Sequence, residues 1–458
     1  MDADSKQGTG APIGRAGVQG PPDSAAALLA SAPMSVQQWL VVGLCVLLNA
    51  LDGFDVLAVA FAAPGISADW KITSTTLGGV ISAGLAGMVL GSVFVAPLAD
   101  QIGRRPTVLI CLVFMTAGML WTAVAPSIPI LCAARVLTGL GVGGMLAAIN
   151  AVAAEFSNER RRDFAVSLMT VGYPLGGLFG GAIAAQLLGT SGWRAIFTAG
   201  GLATAVLIPV IWLWLPESLE FLAARGGERA KERISAVLAR LGHPGADVEV
   251  VKGKAPERAD PRELFRPPFL PFTLRLIAGY FFFILTFYFF SGWLPKIMTD
   301  RGFTAPDAVL TAAIMNGGGV LSGMAVGWLA PRVGLKRLTI LSMLGTSVTM
   351  VVFGILKTDL QTLRAVGLVL GIFTFGGIVG LYAFLARGFP ARLRVTGSGI
   401  TIACGRGGAV LGPLIGGVLL DAGLGAGAVL SVVGVAAALA ALVMVPIPLG
   451  APSTTKGS

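Results

Sequence analysis

Histidine occurs once in 458 residues, at His243, and charged side chains make up only 12% of the chain. A single imidazole rules out a His-rich metal site or a His-based proton relay through the apolar part of the protein. Cysteine is nearly as scarce. Cys45, Cys111, Cys132 and Cys404 each fall inside an apolar stretch, at no spacing that suits a metal or a disulfide framework, and read as packing residues. No Gly-rich phosphate loop ending in Lys, no metal-spaced His/Cys set and no large polar domain is present, so an enzyme has little to be built from. No cofactor and no metal is expected. Low charge combined with 55% hydrophobic residues also excludes a soluble globular domain.

What the chain does have is apolar length. Runs of about 20 residues, enough to cross a ~30 Å hydrocarbon core as a helix, recur at approximately 38–63, 75–98, 107–125, 128–154, 164–188, 195–215, 272–294, 305–330, 337–356, 362–386, 394–420 and 425–446. The expected fold class is an all-α membrane protein of twelve transmembrane helices. Residues 1–33 are polar and rich in Gly, Pro, Ala and Ser, and read as a disordered tail; 448–458 form a second tail. Between them lie a six-helix bundle over 34–216, a charged linker over 217–271 and a second six-helix bundle over 272–447. Lys and Arg concentrate in the turns near Arg104, Arg161, Arg337 and Arg392 and in the linker, which places both termini in the cytoplasm by the positive-inside rule. The net charge of +10 is thereby explained by topology, and nucleic acid is not an expected partner.

The two halves repeat at an offset of 231 residues: Pro64 matches Pro295, Asp69 matches Asp300, Gly87 matches Gly318, and ADQIGRR (99–105) matches APRVGLK (330–336). Two bundles related in this way can rock about a site on their common axis and expose it to each side in turn. Within the linker, RAKERISAVLARL (229–241) has the pattern of a short amphipathic helix.

Four motifs carry a resemblance. PLADQIGRR (97–105) sets Asp100 at a helix end before a tight turn at Gly103 and the pair Arg104 and Arg105, the chemistry of a charge latch that breaks when a gate opens. RVLTGLGVGG (135–144) combines a buried Arg135 with glycines that admit a close helix neighbour. With GYPLGGLFGG (172–181) and LPESLEFL (215–222), these stretches resemble the signatures of the major facilitator superfamily, although Ala96 stands where that family usually has Gly and Pro331 replaces the acid in the second copy. DGFD (52–55), APG (63–65) and EFSNERRRDFAVSLM (155–169) narrow the resemblance to the aromatic acid:proton symporters. That resemblance implies a carrier of benzoate-type carboxylates in the bacterial inner membrane.

The candidate site follows from the charges inside the apolar runs. Asp52 and Asp55 lie about 21 and 26 Å along the first span and share a face with Asn49. A charge at such depth costs ~2.5–3.5 kcal/mol on insertion scales, and two acids on one face disfavour joint ionisation, so one proton can bind and leave. The resemblance implies that Arg135 serves this proton-coupling group; its alternative is to snorkel to the outer surface, and the alternative for Asp55 is simply to pair with Arg135. Arg406, about 17 Å into its span and flanked by glycines, offers a planar fork for a carboxylate. The resemblance implies the same Arg, and an internal pair with an acid of the first half is the alternative. Arg394 reads as a positive-inside anchor. Tyr173, Tyr280, Phe287, Tyr288 and Tyr382 are candidates to stack on a ring, and Asn150 and Asn316 to bond a ring hydroxyl. The expected function is import of an aromatic carboxylate with protons. A carrier of another organic acid, an exporter and a non-transporting sensor remain as alternatives.

Overall fold

The computed structural model describes residues 25–244, 260–390 and 392–447. Among them twelve helices are long and apolar enough to span a bilayer. The first bundle comprises α1 (Val36–Trp70), α2 (Ser74–Phe94), α3 (Arg104–Ala123), α4 (Ile128–Glu155), α5 (Arg162–Thr190) and α6 (Trp193–Trp214). The second comprises α7 (Leu270–Asp300), α8 (Ala305–Val333), α9 (Leu335–Ile355), α10 (Leu360–Gly388), α11 (Arg394–Asp421) and α12 (Ala426–Met444). Both bundles therefore begin and end on one side, here the linker end; the opposite side is the hairpin end.

The pairings repeat: α2 packs on α4 as α8 packs on α10, α1 on α5 as α7 on α11, and α3 on α6 as α9 on α12. Small residues allow these contacts. A Cβ on Gly87 or Gly91 would run into the α4 backbone, and one on Gly176 into that of α1. The outer faces carry exposed Leu47, Phe179, Val206 and Leu442, a surface that a bilayer covers and water would not.

The bundles meet chiefly at two seams, α2 against α11 and α5 against α8, with α1 also touching α7. In the first, Ser82 Oγ donates to the Val410 carbonyl at 2.6 Å and Gly78 abuts Pro413. In the second, Gly177 meets Asn316, Gly181 meets Ala313 and Gly189 lies beside Pro306. Contacts run from the hairpin end to Val171 and Gly323, just past mid-helix. Beyond them Leu168, Met324 and Cys404 are exposed, and the cleft opens toward the linker end.

Two expectations need correction, and a third is extended. The stretch assigned to a disordered tail contains a helix, Ala25–Ser31, seated by buried Leu29 and by the Glu159 N–H donating to the Ala30 carbonyl at 3.0 Å; residues 1–24 and the tail at 448–458 lie outside the described residues. The first span continues through Pro64 to Trp70, because the ring only removes one N–H and α1 is held on several sides by neighbouring helices. The linker holds the amphipathic helix at Glu228–Arg240, with Ala230, Ile234 and Leu238 buried, and adds a second short helix, Leu219–Arg225.

Candidate functional site

α1 places Asp52 and Asp55 in the interior of the first bundle, 2% and 0% exposed, and none of their four carboxylate oxygens has a hydrogen-bond partner among the described residues. Orphaned buried acids are expensive. Arg135, on α4, is equally buried and reaches the same level, yet its Nη2 donates to the backbone carbonyl of Asp55 at 2.7 Å and not to the carboxylate. The direct Asp55–Arg135 ion pair entertained from the sequence does not form, because α4 approaches α1 closely enough for the guanidinium to grip the main chain. Arg135 also faces the Phe197 ring at 5.6 Å and leaves its Nε unpaired. Asn49 spends its amide on the carbonyls of Met169 and Thr170, at 2.8 and 3.4 Å, so it ties α1 to α5.

Across the bundle axis, all four tyrosines of the chain gather in one aromatic cluster drawn from α5, α7 and α10. Phe287 stands at its centre, with ring centroids 6.5 Å from Tyr173, 5.0 Å from Tyr288 and 5.3 Å from Phe375. Tyr280 donates to the Tyr382 hydroxyl at 3.3 Å, while the buried Tyr173 hydroxyl has no partner among the described residues. Arg406 on α11 lies within electrostatic reach of Tyr280 and Tyr288. It is half-buried and makes no ion pair or hydrogen bond among the described residues, so the internal pair considered from the sequence is absent. Asn316 returns its amide to its own helix, at the Ala312 carbonyl 2.9 Å away, and turns its oxygen to the α5–α8 seam at Gly177. Asn150, on the outside of α4, is exposed.

At the linker end the latch differs from its expected form. Asp100 is exposed and makes no ion pair among the described residues. Arg104 instead pairs with Glu155 at the end of α4 and with Glu220, and donates to Ser218 Oγ at 2.9 Å. Glu217 accepts from the Arg104 N–H at 2.8 Å and so caps α3, and Arg105 donates to the Trp212 carbonyl. Gly103 sits at φ +111°, where a side chain would also meet the Glu217 carboxylate. Glu155 and Glu217 were visible only as members of longer motifs, since their partners lie 51 and 113 residues away in the chain.

Twelve spanning helices in two repeated bundles, with charged and aromatic groups gathered between them, define a membrane carrier. The profile of the Major Facilitator Superfamily matches residues 45–400, and the chain belongs to that family. It is 33% identical over 414 residues to a gallate transporter of Pseudomonas putida, covering 90% of this chain and 92% of that one. It is 34% identical to the 4-hydroxybenzoate transporter PcaK of Pseudomonas aeruginosa, covering 90% and 93%. Among solved structures it is similar in fold to the xylose transporter XylE of E. coli in a partially occluded inward-open conformation, with a TM-score of 0.72 at 17% identity, covering 93% of this chain and all of that one.

Proposed function

We propose that the protein imports an aromatic carboxylate together with protons, by alternating access across a bacterial inner membrane. The observation that carries this reading is Arg406, a mid-membrane guanidinium without a counter-ion among the described residues, set beside a cluster of tyrosines. A carboxylate supplies the missing charge in a bidentate fork and its ring meets the aromatic side chains. Asp52 and Asp55 are the proton carriers, since orphaned acids in a closed interior are accommodated when protonated and shed the proton when the cleft wets them. Arg135 holds α1 at the level of these acids, and Gly103, Arg104 and Arg105, with Asp100 released beside them, form the gate at the linker end. The basic turns at Arg104, Arg161, Arg337 and Arg392 all lie at that end, which supports a cytoplasmic position for both termini. The relatives named for gallate and 4-hydroxybenzoate support the substrate class. The test is uptake of radiolabelled benzoate, 4-hydroxybenzoate, gallate and a non-aromatic acid into vesicles, with and without an imposed proton gradient. Accumulation of the aromatic acids that collapses with the gradient is the expected result; uptake indifferent to the gradient, or confined to the non-aromatic acid, overturns the reading.

A further inference from the structure

The last residue of α11 is an acid, Asp421, at the end of a helix where negative charge opposes the helix dipole. Its placement makes sense across the seam. Asp421 Oδ1 accepts the Ser74 N–H at 2.9 Å and Oδ2 accepts the Thr75 N–H at 2.7 Å, so one carboxylate of the second bundle satisfies the first two free donors of α2 in the first bundle. Thr73 caps the third by accepting the Thr76 N–H at 3.2 Å. Gly417, one turn earlier, brings α11 against the Ser74 backbone with no room for a side chain. The other seam has no such device among the described residues: α8 is capped by its own Thr304, and Gly189 only touches the Pro306 ring.

We infer that Asp421 is the hairpin-end latch, a charged cap lent by one bundle to the other that holds this side shut while the cleft opens to the linker end. It rests on the alternating-access cycle proposed above, in which both bonds break at each outward turn. The test uses the full chain with its four native cysteines replaced and a reporter Ile81→Cys, a position 3% exposed that packs on Gly292 of α7 across the bundle boundary. The readout is the rate of labelling by a membrane-impermeant maleimide applied from the hairpin side. Loss of a side-chain cap corresponds to about a 2- to 30-fold population shift, so Asp421→Ala is expected to raise the labelling rate within that range. Ser74→Pro removes one donor at a position where proline suits the first turn. It is expected to act in the same direction, and the double variant to do no more than the larger single. Unchanged labelling in Asp421→Ala, or fully additive singles, overturns the latch. Should Ser74→Pro fail to insert, Asp421→Asn decides. It keeps an acceptor without the charge and is expected between wild type and Asp421→Ala, whereas wild-type labelling in both overturns the proposal. Labelling needs no substrate, so a shift seen in a protein that takes up no aromatic acid refutes the transport reading and leaves the latch standing.

Discussion

Arg406 is a cation and Asp52 an acid, each without a partner among the described residues, and their substitutions separate binding from coupling. Arg406→Lys keeps the charge and loses the planar fork. Hydrogen bonds to charged groups are worth ~1.5–3 kcal/mol each, so losing one member of the fork is expected to raise the Kd for the aromatic acid by at least ~10-fold, measured by binding of labelled ligand to purified protein. Asp52→Asn keeps size and hydrogen bonding but cannot exchange a proton. Gradient-driven accumulation is expected to vanish while counterflow exchange persists; accumulation that survives removes Asp52 from the proton path. Such lone charges were legible because hydrocarbon makes every buried ion conspicuous in an apolar run. Their partners were not. That Arg135 binds the main chain of Asp55, and Asn49 that of α5, depends on how closely two helices approach, which no local spacing encodes.

Helix ends and crossings set the next level. Arg135 is the polar tie between α4 and α1, so Arg135→Gln is expected to lower the melting temperature in detergent more than Asp55→Asn, which leaves the bond to the carbonyl in place. An equal or larger loss in Asp55→Asn would return the contact to the carboxylate. At the hairpin end, α10 is capped by Asp359, whose carboxyl is pushed down to about 2 by hydrogen bonds from Thr362 and Thr358. A lowered carboxyl contributes stability that is present above its ordinary value and is lost only as pH falls through about 2. The destabilisation of Asp359→Ala is therefore expected to be the same at pH 5 and at pH 7.5, checked by thermal unfolding at both. The spans themselves were readable to within a few residues except at the far ends of α1 and α7, which run on to Trp70 and Asp300, since apolar length is a local property. The helix Ala25–Ser31 was not, because seven small and apolar residues show no period long enough to separate them from a tail.

For the molecule as a whole, the repeat at 231 residues foretold two bundles, and the pairings of α1–α6 recur in α7–α12. It did not foretell which side is closed, because the seams depend on glycines and one carboxylate meeting across hundreds of residues. Their closure is testable by a cross-link: Cys introduced at Gly189 and Pro306, which face each other across α5 and α8, is expected to form a disulfide that stops uptake until it is reduced. Uptake that continues with the link formed would exclude rocking of the bundles. The two orphaned carboxylates on α1 carry a further consequence, an electrical one. A monoanion moving with one proton transports no net charge, and the membrane voltage does no work on it. With two protons, each turnover carries one charge, and ~2.3 kcal/mol per 100 mV is added to the drive. In the proposed cycle Asp52 and Asp55 allow either regime, and whether a benzoate-loaded proteoliposome draws current tells how many of the two acids empty in each turnover.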